Sequence, residues 1–503
     1  MASEVHVAFL WHMHQPWYAL PGSAENLLPW TRLRAAKDYT DMAAWLERWT
    51  VPVTVNFTPS LTEQLRRYAA GTLTDAYLPS CAGPHALAEL RSGAVPLPIA
   101  RRGLPAPDPA ALCGDRSPDG ERRLWGWFLL AWIGQSVLEA DPDLRALWER
   151  GSFSSAEVAA LEERQRGIVA EVVPRYRRLA EDAGIELTAT PFYHPILPLL
   201  LDTAAARRSQ PHDELPPFSA PDDAREQVRR ALNHHATVFG RRPNGMWPAE
   251  GAVSTAAAGL LAGEGVRWIV TDGGILARSL GRAPSPEELH RPWRFRTGDG
   301  EIIILFRDTH LSNLIGFDYH RWPPAEAARD LLQRLRRNGT AWHGARPPLV
   351  LIAMDGENAW EFYDRNGRPF FESLYRQLRD ERPIVPTTIS GYLDRFGVEA
   401  VLGDLWSGSW IDADFRTWIG HPSQNAGWEQ LARAQAAAAA ASPGPGRTRA
   451  HDHLLIAEGS DWFWWYGPRH SSPHEPVFDR LFRARLAQVY AEIGRPIPSD
   501  LVP

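Results

Sequence analysis

Leu349-Val-Leu-Ile-Ala-Met-Asp355-Gly-Glu357-Asn358 is the stretch whose pattern decides the architecture. Six apolar residues in a row, with no polar alternation, describe a strand buried on both faces, and such strands belong to parallel sheets covered on two sides. The run ends on a carboxylate and a glycine. In parallel α/β folds the loops at the carboxyl ends of the strands converge on one mouth, so Asp355 stands where chemistry is done.

The pattern recurs along the chain. Val5 to Leu10 leads to His12 and His14, Val51 to Val55 to Asn56, Ile185 to Thr190 to His194, and Gly245 to Trp247 to Glu250. Trp268 to Val270 leads to Asp272, and Ile302 to Phe306 to Arg307 and Asp308. With Leu349 to Met354 these make seven candidate strands. Amphipathic segments such as Ala224 to Phe239 and Pro324 to Arg336 lie between them, the alternation of a parallel sheet closed or wound by crossovers. Glu121 to Leu138 and Ser155 to Leu179 read as long helices within a helical insertion at about residues 85–183. After Pro386 the strand signal fades and helices dominate, ending in Val477 to Ile493; Ala434 to Ala441 runs into the breaker Ser-Pro-Gly-Pro-Gly.

Composition narrows the function. With 54 Lys+Arg against 60 Asp+Glu and no basic stripe, the chain offers nucleic acid no electrostatic footprint. The two cysteines, Cys81 and Cys113, form no CxxC pair and read as free thiols. No apolar run reaches membrane-spanning length, and the first residues lack the basic segment and apolar core of a signal peptide, so the expectation is a soluble cytoplasmic protein. The 22 tryptophans include several in polar, Gly-rich stretches, where a flat ring with one polar edge suits a sugar. Core packing would use Trp as well.

Three constellations carry chemistry. His12-Met-His14-Gln15-Pro16-Trp17 puts two histidines on one side of an extended chain; a His-x-His pair without a nearby acid is too little for a zinc site. Gly245-Met-Trp247-Pro-Ala-Glu250-Gly and Ala353-Met-Asp355-Gly-Glu357-Asn-Ala-Trp360-Glu361 each set a carboxylate just past an apolar run. Cleaving a glycosidic bond needs two carboxyl groups about the anomeric carbon, and a separation of about 5–5.5 Å implies a covalent intermediate and retention. Glu357 and Glu361 suit an Arg pair, a helix cap or a sugar hydroxyl, and Asp272 suits a helix N-cap.

Taken together, the motifs resemble glycoside hydrolase family 57. His14-Gln15-Pro16, Gly184-Ile-Glu186-Leu, Trp247-Pro-Ala-Glu250, Asp355-Gly-Glu-Asn358 and Trp418-Ile-Gly-His-Pro422 fall in the family's order. Asn56-Phe-Thr-Pro-Ser60, Phe306-Arg-Asp308 and Ser460-Asp461-Trp462-Phe-Trp464-Trp465-Tyr-Gly467 extend the likeness. It implies an irregular (β/α)7 catalytic barrel over residues 1–385, including the helical insertion, and a mainly helical domain over 386–503 that helps to form the cleft. It further implies Glu250 as nucleophile, Asp355 as general acid/base, and no metal or cofactor. His12, His14, Gln15, Trp247, His194, Asp272, Arg307, Asp308, Glu357, Trp360, Trp410, Trp418, Asp461 and Trp462 become the candidate substrate-binding residues. The blocks look most like the amylopullulanase and α-amylase branch, and Pro468-Arg469-His470 is less acidic than that branch would have.

The expected activity is retaining hydrolysis of α-1,4 glucosidic bonds in α-glucans or maltooligosaccharides, with α-1,6 bonds as an open extension. A 4-α-glucanotransferase or branching enzyme of the same family would share both carboxylates and pass the sugar to a hydroxyl instead of water. A metal-dependent polysaccharide hydrolase or deacetylase built on His12 and His14, and a non-catalytic glucan-binding protein, are the readings from other classes. In the Trp-rich block, alternation would put Trp462 and Trp464 on one side of an extended segment.

Overall fold

The computed structural model describes residues 4–340, 342–380 and 382–502, without the side chains of Asn358 and Asp380. All seven apolar runs are strands: β1 (Val5–Met13), β2 (Thr54–Phe57), β3 (Glu186–Ala189), β4 (Gly245–Met246), β5 (Trp268–Asp272), β6 (Gly300–Arg307) and β7 (Leu349–Asp355). They pair in parallel in the order β7-β1-β2-β3-β4-β5-β6. Three further strands of this sheet escape the pattern of apolar runs. Trp293–Thr297 pairs antiparallel with β6 and carries the short strand Ala400–Val401 on its far side, while Ile384–Pro386 adds beside β1. Strand pairing therefore continues past residue 386, in a stretch whose sequence shows only helical patterns.

Because these strands are covered on both faces, alternate residues of one strand belong to two different cores. From β1, Val7, Phe9 and Trp11 join the large core beneath the surrounding helices. Ala8 and Leu10 join a smaller cluster with Val270 of β5, Leu305 of β6, and Leu351 and Ala353 of β7. Side chains from both ends of the strand order thus meet on the inner face, and the Asp308 N–H just past β6 donates to Leu351 O of β7 at 2.7 Å. Gly245 of β4 sits where a Cβ would come within 1.9 Å of the Trp268 ring, which forces glycine there.

Helix Ile389–Phe396 closes the amino-terminal end of this inner cluster with Ile389, Tyr392 and Leu393. Glu186, at the start of β3, holds it there by accepting from the Ser390 N–H at 2.9 Å and from the Ser390 hydroxyl. The Gly184-Ile-Glu186 block therefore lies at the opposite end of the sheet from the carboxyl-end side chains.

The insertion between β2 and β3 is helical, ending in the 28-residue helix Ser155–Asp182 with its Ser154/Glu157 capping box. The single helix expected over 121–138 is two, Pro118–Ala131 and Gln135–Ala140. Asp41 breaks it from outside, accepting from the N–H groups of Gln135 and Ser136, each at 2.7 Å, while Gly134 bonds to Ala36 O. No local pattern reveals a cap that arrives from a helix 94 residues away. The chain finishes in helices Pro422–Ala439, Pro445–Ala457, Asp461–Trp465 and Glu475–Glu492. Among the described residues no helix is long and apolar enough to cross a membrane.

Candidate active site

The carboxyl ends of β1, β4 and β7 border a cavity of about 410 Å³, within the range of small-molecule sites. Register carries the chemistry there: His12 of β1 lies beside Asp355 of β7 and Asn56 of β2. Glu250 arrives from the turn after β4, in left-handed backbone conformation (φ 57°, ψ 25°), and His194 after β3 has φ 60°. For side chains larger than glycine this conformation costs about 1–3 kcal/mol per residue, a strain held by the surrounding packing.

Glu250 and Asp355 both line the cavity. Burial, reinforced by the Asp355 carboxylate, pushes the Glu250 carboxyl up to about 8. One group opposes that shift: the Trp410 indole N–H donates to Glu250 Oε2 at 2.8 Å and favours its ionised form. The Arg307 guanidinium lies 4.7 Å over the Trp410 ring, and it is fixed by Asp272 Oδ2 at 2.6 Å and Ala353 O at 3.0 Å. Asp272 also caps helix Gly273–Leu280.

His12 and His194 form a neutral, directional pair. Burial, with the nearby charge of His14, lowers His12 to about 3 and holds His194 well below its usual value. His12 Nδ1–H donates to Asn56 Oδ1 at 2.6 Å, which leaves Nε2 as acceptor for His194 Nε2–H at 3.2 Å. The Ser460 hydroxyl then donates to His194 Nδ1 at 2.8 Å, so the chain of partners fixes both tautomers. His14 Nε2–H donates to Asp461 Oδ1 at 2.8 Å.

Glu357 is buried, and desolvation, with Asp355 adding to it, holds its carboxyl well above the usual range. Its Oε1 accepts from the Tyr39 hydroxyl at 3.0 Å and Gln15 Nε2 at 3.2 Å, whereas Oε2 has no partner in the protein. Arg34 borders the same cavity and pairs with Glu361 at 2.5 Å.

Among the described residues His14, His194 and Asp461 have ligand atoms within 4.8 Å of one another. The arrangement does not suit an ion. The two imidazoles stack with centroids 3.8 Å apart and planes 13° from parallel, so their in-plane lone pairs run side by side instead of converging. Both nitrogens of His194 are engaged as well.

Of the residues singled out in the sequence, His12, His14, Gln15, Glu250, Asp355, Glu357, Trp410 and Asp461 border the cavity. His194 stands one layer behind His12 and His14. Trp247 is fully buried beneath His12 and edge-on to Trp410. Asp272 and Arg307 lie behind Trp410, and Asp308 caps helix Thr309–Asn313 while accepting from His290 at 3.0 Å. Trp360, Trp418 and Trp462 are buried among other aromatic rings.

The Trp-rich block is helical over Asp461–Trp465, so period 3.6 replaces the expected alternation. Asp461, Trp464 and Trp465 face the cavity and Trp462 the core. That i, i+3, i+4 spacing was the readable signal for Trp464 and Trp465. Trp30, Arg34 and His474 also line the wall, and no strand-end rule points to them because the first two belong to helix Trp30–Arg34 and His474 is the N-cap residue of helix Glu475–Glu492.

The family model for glycosyl hydrolase family 57 matches residues 8–403. The chain belongs to glycosyl hydrolase family 57. Solved structures share its fold at low identity. The branching enzyme of Pyrococcus horikoshii is 15% identical, with TM-score 0.64 over 99% of this chain and 93% of that one. For the α-amylase AmyC of Thermotoga maritima the values are 14%, 0.60, 100% and 95%. For the 4-α-glucanotransferase of Thermococcus litoralis they are 14%, 0.57, 97% and 60%. Among proteins with curated descriptions none matches the sequence at a significant level.

Proposed function

We propose that this family 57 protein cleaves α-glucosidic bonds of α-glucans or maltooligosaccharides with retention, through a covalent glycosyl-enzyme intermediate. The observation that carries the reading is the pair of carboxyl groups brought from the ends of two strands, β4 and β7, to one cavity, with Glu250 held up at about 8 by burial and Asp355. Such a pair keeps one proton between its members near neutral pH, the stoichiometry that double displacement requires.

The reaction draws on the form of the pair with the shared proton on Asp355, and the Trp410 donation to Glu250 Oε2 favours that form. In the first step Glu250 Oε attacks the anomeric carbon, the glycosidic C–O bond breaks, and Asp355 gives its proton to the leaving oxygen. Water then attacks the same carbon, Asp355 takes its proton, and the bond to Glu250 breaks. Glu357, which lines the cavity with its Oε2 unpartnered, supplies a hydrogen-bonding group for a sugar hydroxyl.

The fold reading follows the same site. The inner cluster shared by β1, β5, β6 and β7, and the Asp308 to Leu351 bond, support closure of the sheet as a seven-stranded barrel. Residues 1–385 then form the catalytic unit with its helical insertion. Residues 386–503 form a mainly helical unit, with Ala400–Val401 on the sheet edge, that contributes Trp410, Asp461, Trp464 and Trp465 to the cleft.

Product analysis on maltoheptaose, amylose and pullulan tests the activity. Shorter maltooligosaccharides with new reducing ends support hydrolysis, and cleavage of pullulan extends it to α-1,6 bonds. Redistributed chain lengths or new branches without net reducing ends replace it with transfer, and no action on any α-glucan overturns it.

A further inference from the structure

Helix Asp461–Trp465 separates two depressions. Trp465 borders the catalytic cavity on one side and, on the other, a surface groove of about 550 Å³ between helices Pro422–Ala439 and Glu475–Glu492. The same indole is a wall of both, so the two spaces follow one another along the molecule.

The groove has a definite chemistry. Trp465 and Tyr466 supply aromatic surface, and Gln430, Glu475, Asp479 and Arg483 bring polar groups between them. The Tyr466 hydroxyl donates to Asp479 at 3.0 Å and Arg483 Nε donates to the same carboxylate at 2.8 Å, which stiffens that wall. Gly427 makes room for the ring: a Cβ there would meet both Tyr466 and Phe463 at 3.2 Å. Flat apolar rings interleaved with donors and acceptors of both signs match a neutral polyol with apolar ring faces, and give a polymer of one charge no advantage.

We propose that this groove binds the distal glucose units of an α-glucan whose reacting unit occupies the catalytic cavity, the chain passing over the Trp465 indole. This rests on the α-glucan reading of the cavity. The groove acts as a length sensor: short oligosaccharides end before Trp465, and long chains gain its contacts.

Calorimetric titration of the Glu250→Gln protein with maltotriose and with a long linear maltodextrin tests it. The long chain is expected to bind ~10-fold more tightly, a gain of the size one well-packed contact gives. Ala426→Trp in that background fills the groove from an exposed helix position without removing a side-chain bond. It should abolish the difference and leave maltotriose affinity unchanged. Gln430→Ala, which keeps the groove open, should shrink the difference by roughly threefold and serves if the bulkier variant does not fold. The proposal is overturned if the long chain has no advantage, or if both variants retain it. Failure of every α-glucan to bind overturns the reading of the cavity itself, a result distinct from loss of length dependence alone.

Discussion

The two ends of the sheet treat a buried glutamate in opposite ways. At the amino-terminal end Glu186 is enclosed beneath helix Ile389–Phe396 and bonded to both the backbone and the hydroxyl of Ser390. At the carboxyl end Glu250 has one indole donor, a strained backbone and a like charge facing it, and one oxygen of Glu357 has no partner in the protein. One end uses its polar groups to fix the fold. The other holds them unsatisfied for a ligand, at a cost in stability that the first end helps to offset.

Removing Asp355 should show the largest effect: Asp355→Asn is expected to lose at least ~100-fold in kcat/KM on amylose, the scale of a lost acid/base group, without a lower midpoint of unfolding. Glu186→Ala should do the reverse. Leaving the buried Ser390 donors unpaired is expected to cost ~2–3 kcal/mol in denaturant unfolding, with KM of the folded fraction unchanged. If Glu186→Ala is neutral in stability, the contrast between the ends is wrong.

Two pH dependences sharpen the comparison. Trp410→Phe removes the donor that favours ionised Glu250, so its pKa rises further. The alkaline limb of activity, set near pH 8 by loss of the pair's last proton, should move to higher pH, with a roughly tenfold fall in kcat/KM. A pH profile superimposable on wild type would remove Trp410 from this role. Glu250→Gln should change the pH dependence of stability. A carboxyl raised from 4.5 to about 8 binds its proton more tightly in the folded state, so wild-type stability falls as pH rises through that window. The variant lacks that fall and should become relatively more stable from pH 4.5 to 8, by several kcal/mol at ~1.4 kcal/mol per pKa unit. A constant difference across the window would contradict the raised pKa.

How much of this is legible in the sequence depends on where the physics is local. Parallel strands buried on both faces are continuous apolar runs, so all seven were readable, as were the carboxylates just past them. The antiparallel strand Trp293–Thr297 alternates apolar and polar residues beside β6 and gives no such run. The break at Gly134 depends on Asp41, and Asp272 and Arg307 act through Trp410, which comes more than 100 residues later in the chain. The Trp-rich segment is helical, so the alternation that holds for an extended chain does not apply there. For Gly134 and for Arg307 the deciding partner lies far away in sequence.

The roles of Glu250 and Asp355 are tested most directly by the anomeric configuration of the glycosyl azide formed when each is replaced by alanine and supplied with azide and an α-maltosyl fluoride. Glu250→Ala should give the β-azide by a single displacement, and Asp355→Ala the α-azide through the intact covalent intermediate. The opposite assignment, or one configuration from both variants, would contradict the account.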